Sequence, residues 1–197
     1  VGQDKLMKAL WWLAKVQNPN GSWGNSNQPA YTGLALLTFL AHGETPTSKH
    51  FGTTVKKAMQ WLVNDPIDTK KSHGYPHAIK TYALAEAYTF SKLSKYQVPG
   101  LKEAVQMAGN VLIQGQAPNG GWRYAFSYDG YHDDTSVTGF CMQALKACKH
   151  TDLHYEGLEK VSKKGLDYLR NSQLPNGQLG YDGKKSPKDT MTGAGLL

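Results

Sequence analysis

Two kinds of segment alternate along this 197-residue chain, and they differ in how polar positions are distributed. The first kind is built on a core of apolar residues at three-and-four spacing, interrupted by Lys, Asp or Gln. Its copies are Ala9-Leu10-Trp11-Trp12-Leu13, Ala58-Met59-Gln60-Trp61-Leu62, Ala108-Gly109-Asn110-Val111-Leu112 and Gly165-Leu166-Asp167-Tyr168-Leu169. Such spacing predicts an amphipathic helix with one wet face. The second kind opens with Thr and is small or apolar nearly all round: Thr32-Gly33-Leu34-Ala35-Leu36-Leu37, Thr81-Tyr82-Ala83-Leu84-Ala85, Thr138-Gly139-Phe140-Cys141-Met142 and Thr192-Gly193-Ala194-Gly195-Leu196-Leu197. A helix without a polar face predicts burial.

The repeat is regular. Final leucines of the first series are 49, 50 and 57 residues apart, and the threonines of the second are 49, 57 and 54 apart. Each copy reads as helix, loop, helix, so residues 1–197 are expected to form one all-α domain of about four helical hairpins. Alternating wet and dry helices suggest an outer ring wrapped around an inner one, with a straight solenoid as the competing arrangement. Small residues on the dry helices (Gly33, Ala35, Ala83, Ala85, Gly139, Gly193) permit close approach. The fourth dry segment breaks off at Leu197, which reads as an incomplete repeat of a longer array and predicts self-association through its exposed edge.

The first helices run into a recurring loop: Gln17-Asn18-Pro19-Asn20-Gly21-Ser22-Trp23, Gln116-Ala117-Pro118-Asn119-Gly120-Gly121-Trp122, and Gln173-Leu174-Pro175-Asn176-Gly177-Gln178-Leu179. Pro stops the helix and Asn-Gly supplies a turn with positive φ. The Gln is expected to satisfy orphan backbone groups at a helix end, and the Trp to lie over the neighbouring repeat. The second copy, around Asn64 to Tyr75, keeps Asp65-Pro66 and Gly74-Tyr75 but has no Gln or Trp in register. Trp11, Trp12 and Trp61 are expected to pack in the core.

This Gln-x-x-x-Gly-x-Trp loop resembles the "QW" repeat of squalene–hopene and oxidosqualene cyclases. The segment from His77 to Leu84 resembles the inner helices of protein prenyltransferase β subunits. The resemblance covers essentially the whole chain and implies an α/α-toroid, here an arc or fragment of one, whose cavity would take an apolar isoprenoid. Tyr131-His132-Asp133-Asp134-Thr135-Ser136 resembles the D-x-D-D-T-A acid motif of class II terpene cyclases. Matched by residue, Asp133 would donate the proton and Asp134 would neighbour it, while Tyr131 stands where the first Asp belongs and Ser136 where the Ala belongs. A proton donor to an alkene must be held neutral and made unusually strong, and losing one partner weakens that tuning.

The bland reading of Asp133 and Asp134 is helix capping, with Asp134 the better cap. Gln28, His77, Asp134 and Lys188 each stand four residues before a repeat Thr, so they are expected to share a rim. His77, Tyr82, Tyr131, His132 and Phe140 are the candidate ligand contacts, the aromatics through cation–π contact with a carbocation. A zinc site from His77, His132 and Asp134, with His73 nearby, lacks the Asp-x-Cys spacing of the prenyltransferases, and no D-D-x-x-D magnesium motif follows Asp133. No metal or cofactor is therefore expected. No C-G-E-Q-like thioester site exists.

The net charge of +7 and the 40% apolar content fit a globular domain. The lysines fall in scattered pairs, such as Lys56-Lys57 and Lys184-Lys185, which reads as solvated helix faces. A membrane-surface preference is compatible with that charge, whereas no nucleic-acid motif is present. No apolar run approaches the ~20 residues of a membrane span, and Lys5 and Lys8 interrupt the early apolar run, unlike a signal peptide. Cys141 and Cys148 lie about 10 Å apart along a helix, too far for the roughly 7 Å limit of a disulfide, and fit a reducing compartment. The rival to a cyclase-like enzyme is a non-catalytic scaffold that binds a protein or glycan.

Overall fold

The computed structural model describes residues 2–67, 74–94, 96–126 and 133–196. Eight helices and no strand lie among them: α1 (Gly2–Lys15), α2 (Gln28–Ala41), α3 (Gly52–Asn64), α4 (Gly74–Ser94), α5 (Leu101–Gln114), α6 (Thr135–His150), α7 (Leu158–Asn171) and α8 (Asp189–Leu196). The chain is all-α. Two isolated β-bridges, Gln173 with Leu179 and Asp182 with Lys185, close short turns.

The even helices pack in succession, α2 on α4, α4 on α6 and α6 on α8, and the odd helices lie against them. Glycine sets the spacing of the even layer. A Cβ on Gly33 would lie 3.1 Å from the Ile79 carbonyl oxygen, and one on Gly139 would lie 2.6 Å from that of Ala194. Any side chain at either position would push the two backbones apart. Gly33 and Gly139 thus do what their pattern predicts, whereas a Cβ on Gly193 would meet nothing within 4 Å.

The odd helices show the amphipathic face. Val55, Ala58, Met59 and Leu62 of α3, and Val105, Ala108 and Leu112 of α5, are fully buried. Their starts and stops follow local chemistry. Gly100 and Gly157 take the left-handed conformation just before α5 and α7, with φ of 76° and 81°. Pro66 stops α3, and Asp65 before it is extended, at φ −66° and ψ 127°.

The α1–α2 hairpin departs from expectation. Trp11 and Trp12 are 48% and 62% exposed, so they are not core residues. Trp11 keeps ring contacts with His50 and Phe51, at 5.8 and 4.7 Å between centroids. α2 also shows a bare stripe, Tyr31, Leu34, Thr38 and Ala41, at three-and-four spacing. The physical reason is position: this hairpin forms an edge of the helix layers, and nothing among the described residues covers its outer side. Trp61, by contrast, is partly buried against the core. Cys141 and Cys148 are buried free thiols, and burial pushes both up, Cys148 to about 12. No described helix is long and apolar enough to cross a membrane.

Candidate functional site

The three Gln-containing loops fold alike. In the first, the Asn18 amide donates to Ser22 and the Gly21 amide to Asn18; in the second, Ala117 donates to Gly121 and Gly120 to Ala117; in the third, Leu174 donates to Gln178 and Gly177 to Leu174. The Asn side chain stabilises each turn, since Asn20, Asn119 and Asn176 accept from the amides of Ser22, Gly121 and Gln178. Gly21, Gly120 and Gly177 have φ of 98°, 97° and 88°, which is why glycine recurs there. The repeat threonine closes the unit: Thr32, Thr138 and Thr192 accept through Oγ1 from the amides of Trp23, Trp122 and Leu179.

Trp122 lies over the next repeat as expected, since a Cβ on Gly165 of α7 would lie 3.2 Å from its ring, but the indoles also take the helix-end role expected of the Gln. The indoles of Trp23 and Trp122 donate to the Leu13 and Leu112 carbonyls, both at 2.9 Å, and so satisfy last-turn acceptors of α1 and α5. The glutamines instead bridge repeats. Gln17 Nε2 donates to Gly21 and to Thr54 of α3, at 3.0 and 3.1 Å; Gln116 Nε2 donates to Gly120 and to Val161 of α7, at 2.9 and 2.8 Å.

The acid-motif residues sit where the second of these turns meets α6. Asp134 is the N-cap of α6, accepting from the amides of Ser136 and Val137 at 2.7 and 3.0 Å and from the Ser136 hydroxyl. Thr135 ties α6 to the next loop, its amide donating to Tyr181 and its hydroxyl to Gly180 at 2.7 Å. Asp133 is 3% exposed. Its Oδ1 takes the Arg123 Nε at 2.7 Å and its Oδ2 takes the Asn119 amide. The Tyr168 hydroxyl of α7 donates to its carbonyl at 3.3 Å. A Cβ on Gly121 would lie 3.0 Å from the Asp133 Cβ and 2.9 Å from the Tyr168 ring, so glycine makes room for this cluster.

A group of phenols borders Asp134. The Tyr75 hydroxyl bonds to the Ser136 hydroxyl, and its ring meets Tyr124 and Phe140 at 5.4 and 5.7 Å. Tyr181 donates to the Tyr124 hydroxyl at 3.3 Å. Burial pushes the Tyr75 phenol up to about 12, the Ser136 bond offsetting part of it. Tyr181 is pushed up first by the nearby Asp134 carboxylate and then by Tyr124. Burial likewise raises Tyr168, and it raises Tyr82, with Glu86 adding to the latter. These phenols are therefore donors at neutral pH rather than phenolate nucleophiles.

Of the other candidate contacts, Tyr131, His132 and the nearby His73 lie outside the described residues. Phe140 and Tyr82 are half-buried on α6 and α4. His77 does not share a rim with Asp134. It lies in the first turn of α4, 6% exposed, with Nε2 at 3.0 Å from the Ala108 carbonyl of α5 and its ring edge-on to Phe126. The offset arises because α4 already begins at Gly74, whereas α6 begins after Asp134. Burial lowers the imidazole to about 4, so it is neutral. No metal-binding cluster occurs among the described residues.

Sequence reading did not find Arg123, Tyr75, Tyr124, Tyr168 or Tyr181. One signal was present: Gly24 follows the first Trp of the repeat and Arg123 follows the second, a departure facing the one copy that carries Asp133. Among the described residues, clefts of about 450, 490 and 490 Å³ lie around Tyr88 and Ser91, around Trp61 and Asp65, and around Trp12 and Trp23. Neither Asp133 nor Asp134 lines any of them. Comparison with family models, with curated proteins and with solved structures finds no match to this chain.

Proposed function

We propose that this chain is an arc of an α/α-toroid of the squalene–hopene cyclase and prenyltransferase type, working as a non-catalytic scaffold that binds a protein or glycan partner. The toroid reading is supported by the two helix layers and by the close glycine contacts between successive even helices. One observation carries the non-catalytic reading: both Asp133 oxygens are occupied by donors of the protein itself. A general acid must reach the atom it protonates. Here the carboxylate instead joins the Asn119 turn, Arg123 and the start of α6. The aromatic group of Tyr75, Tyr124 and Phe140 beside Ser136 favours a second reading, an isoprenoid protonated by Asp133 whose carbocation these rings stabilise by cation–π contact.

The two readings separate in one experiment. Wild type and Asp133→Asn are incubated with squalene and with farnesyl diphosphate, and extracts are analysed by gas chromatography with mass spectrometry. No cyclised product from either, with a lowered thermal midpoint for Asp133→Asn, is the expected result. Product from wild type that disappears in Asp133→Asn would establish the enzyme instead.

A further inference from the structure

The Asp133 carboxylate plugs one joint between repeats, and the matching joint one repeat earlier has no plug. At the plugged joint, Asn119 accepts from the Gly121 amide at 3.1 Å, and this pose aims its own amide group at Asp133 Oδ2. Arg123 holds the other oxygen at 2.7 Å, and the Tyr168 hydroxyl of α7 donates to the Asp133 carbonyl. The Asn of the third turn is also used: Asn176 Nδ2 donates to Gln178 Oε1 at 3.0 Å.

The unplugged joint lies inside the array, where the Gln17–Trp23 turn meets α3 through Gln17 and Gly21. Asn20 accepts from the Ser22 amide at 3.0 Å, so it holds the pose of Asn119. Both its bonds, from the Ser22 amide and hydroxyl, end on its oxygen, and among the described residues nothing accepts from its Nδ2. Asp133 stands five residues before the repeat Thr; the same count from Thr32 gives Asn27, which is left-handed at φ 46° and makes no capping bond. Gly24 stands where Arg123 does, and Trp61 where Tyr168 does, each directly before its motif leucine. What results is an open cleft of about 490 Å³ lined by Asn20, Lys57, Gln60, Trp61, Asn64 and Asp65.

Its walls have a definite chemistry. Asn20 and Lys57 are exposed and offer an amide donor and a cation. Asp65 would repel an anion, but its carboxylate faces the Lys80 ammonium at 2.6 Å. Gln60 donates to Asn64 Oδ1 at 3.1 Å, which fixes Asn64 and leaves its amide group for another partner. Trp61 is held against the core on one side and borders the cleft on the other. An apolar plate with a few placed polar groups is the usual make-up of a small-ligand site.

We infer that this cleft binds a uronic-acid unit of an acidic glycan. Its carboxylate meets Asn20 and Lys57 as Asp133 meets Asn119, its ring lies on the Trp61 indole, and its hydroxyls bond to Gln60 and Asn64. An acidic peptide would bring the carboxylate but no hydroxyl-bearing ring to match the plate and the amides around it. The inference rests on the scaffold reading and deepens it by choosing glycan over protein.

Isothermal titration calorimetry in about 0.15 M salt, which screens the +7 charge, tests it. The probes are tetragalacturonate, its methyl ester, and capped tetraglutamate, which carries the same number of carboxylates without a ring. Asn20→Asp keeps the oxygen that accepts from Ser22 and replaces the donor by a repelling charge. Lys57→Gln removes the cation and leaves the main-chain joint intact. Circular dichroism verifies folding, and Lys57→Gln alone carries the test if Asn20→Asp unfolds. Tetragalacturonate is expected to bind wild type at millimolar concentration or below. The ester, and each variant, should bind about tenfold more weakly, the worth of one charged hydrogen bond. Absence of tetragalacturonate binding, equal binding of the ester, or folded variants that bind like wild type would overturn the inference. Tetraglutamate binding as tightly as tetragalacturonate would replace the glycan by an acidic peptide. Product formation in the isoprenoid assay bears on Asp133 alone: a failure to bind uronate leaves the non-catalytic reading standing, and a cyclised product leaves this cleft standing.

Discussion

The Gln116–Trp122 and Gln173–Leu179 turns share their backbone hydrogen bonds, their Asn and their left-handed glycine, but only the first has a helix seated on it. The Gln116 amide has two duties, one within the turn and one across to α7. Around Gln173 the second duty is unfilled, and Leu179 replaces the indole that caps α5. The turn therefore folds by local chemistry alone, and neighbour recognition is an addition to a finished shape. The joint between α4 and α5 offers a third case. It lacks the Gln and relies instead on His77 to the Ala108 carbonyl, while Lys80, 2% exposed, holds Asp65 at 2.6 Å.

The largest effect should come from adding one methyl group at the two glycines, measured by urea unfolding at low protein concentration. Gly120→Ala combines a left-handed φ, costing about 1–3 kcal/mol, with a contact 2.3 Å from the Lys164 carbonyl oxygen. Overpacking of that sort costs a further ~1–3 kcal/mol, so the total is expected near 4 kcal/mol. Gly177→Ala meets the backbone penalty alone and should lose roughly 1–2 kcal/mol. Equal losses would break the comparison.

The His77 joint should respond to pH. Its folded value of about 4 lies below the ordinary 6.5, so the unfolded chain binds the extra proton first. Stability is then complete above pH 6.5 and falls as pH drops towards 4, by roughly 3 kcal/mol at about 1.4 kcal/mol per unit. Unfolding curves at neutral and mildly acidic pH check this, and His77→Gln should flatten the slope over that window. The smallest contrast concerns the amides. Gln116→Ala leaves buried carbonyls short of a donor and should cost about 1–2 kcal/mol, whereas Gln173→Ala should stay within about 0.5 kcal/mol.

The loops were legible because Pro and Asn-Gly act locally, and residue type alone dictates the turn. Asp134 as a cap was legible for the same reason. Which partner each polar group would choose was not. Trp122 does lie over the next repeat, against Gly165; the Gln assignment missed because the sequence shows a donor near a helix end but not which helix presents its carbonyl. Trp11 and Trp12 have the spacing of core residues, and periodicity cannot reveal that α1 is an edge. Asp133 looked like a reactive acid because Arg123, ten residues before it, follows no periodic rule. His77 was aligned by counting from Thr81, and one extra turn of α4 carried it from the rim into the α4–α5 contact.

Every inter-repeat bond of the Gln turns ends on a main-chain oxygen, at Thr54 and Val161, and the close glycine contacts end on those of Lys57 and Lys164. An arriving helix is thus read by the pitch of its backbone, while its side chains at those four positions carry no message. Drift at those four positions leaves the backbone joint intact, whereas Tyr168, which bonds to the Asp133 carbonyl and packs on Gly121, marks α7 as the partner of its own turn.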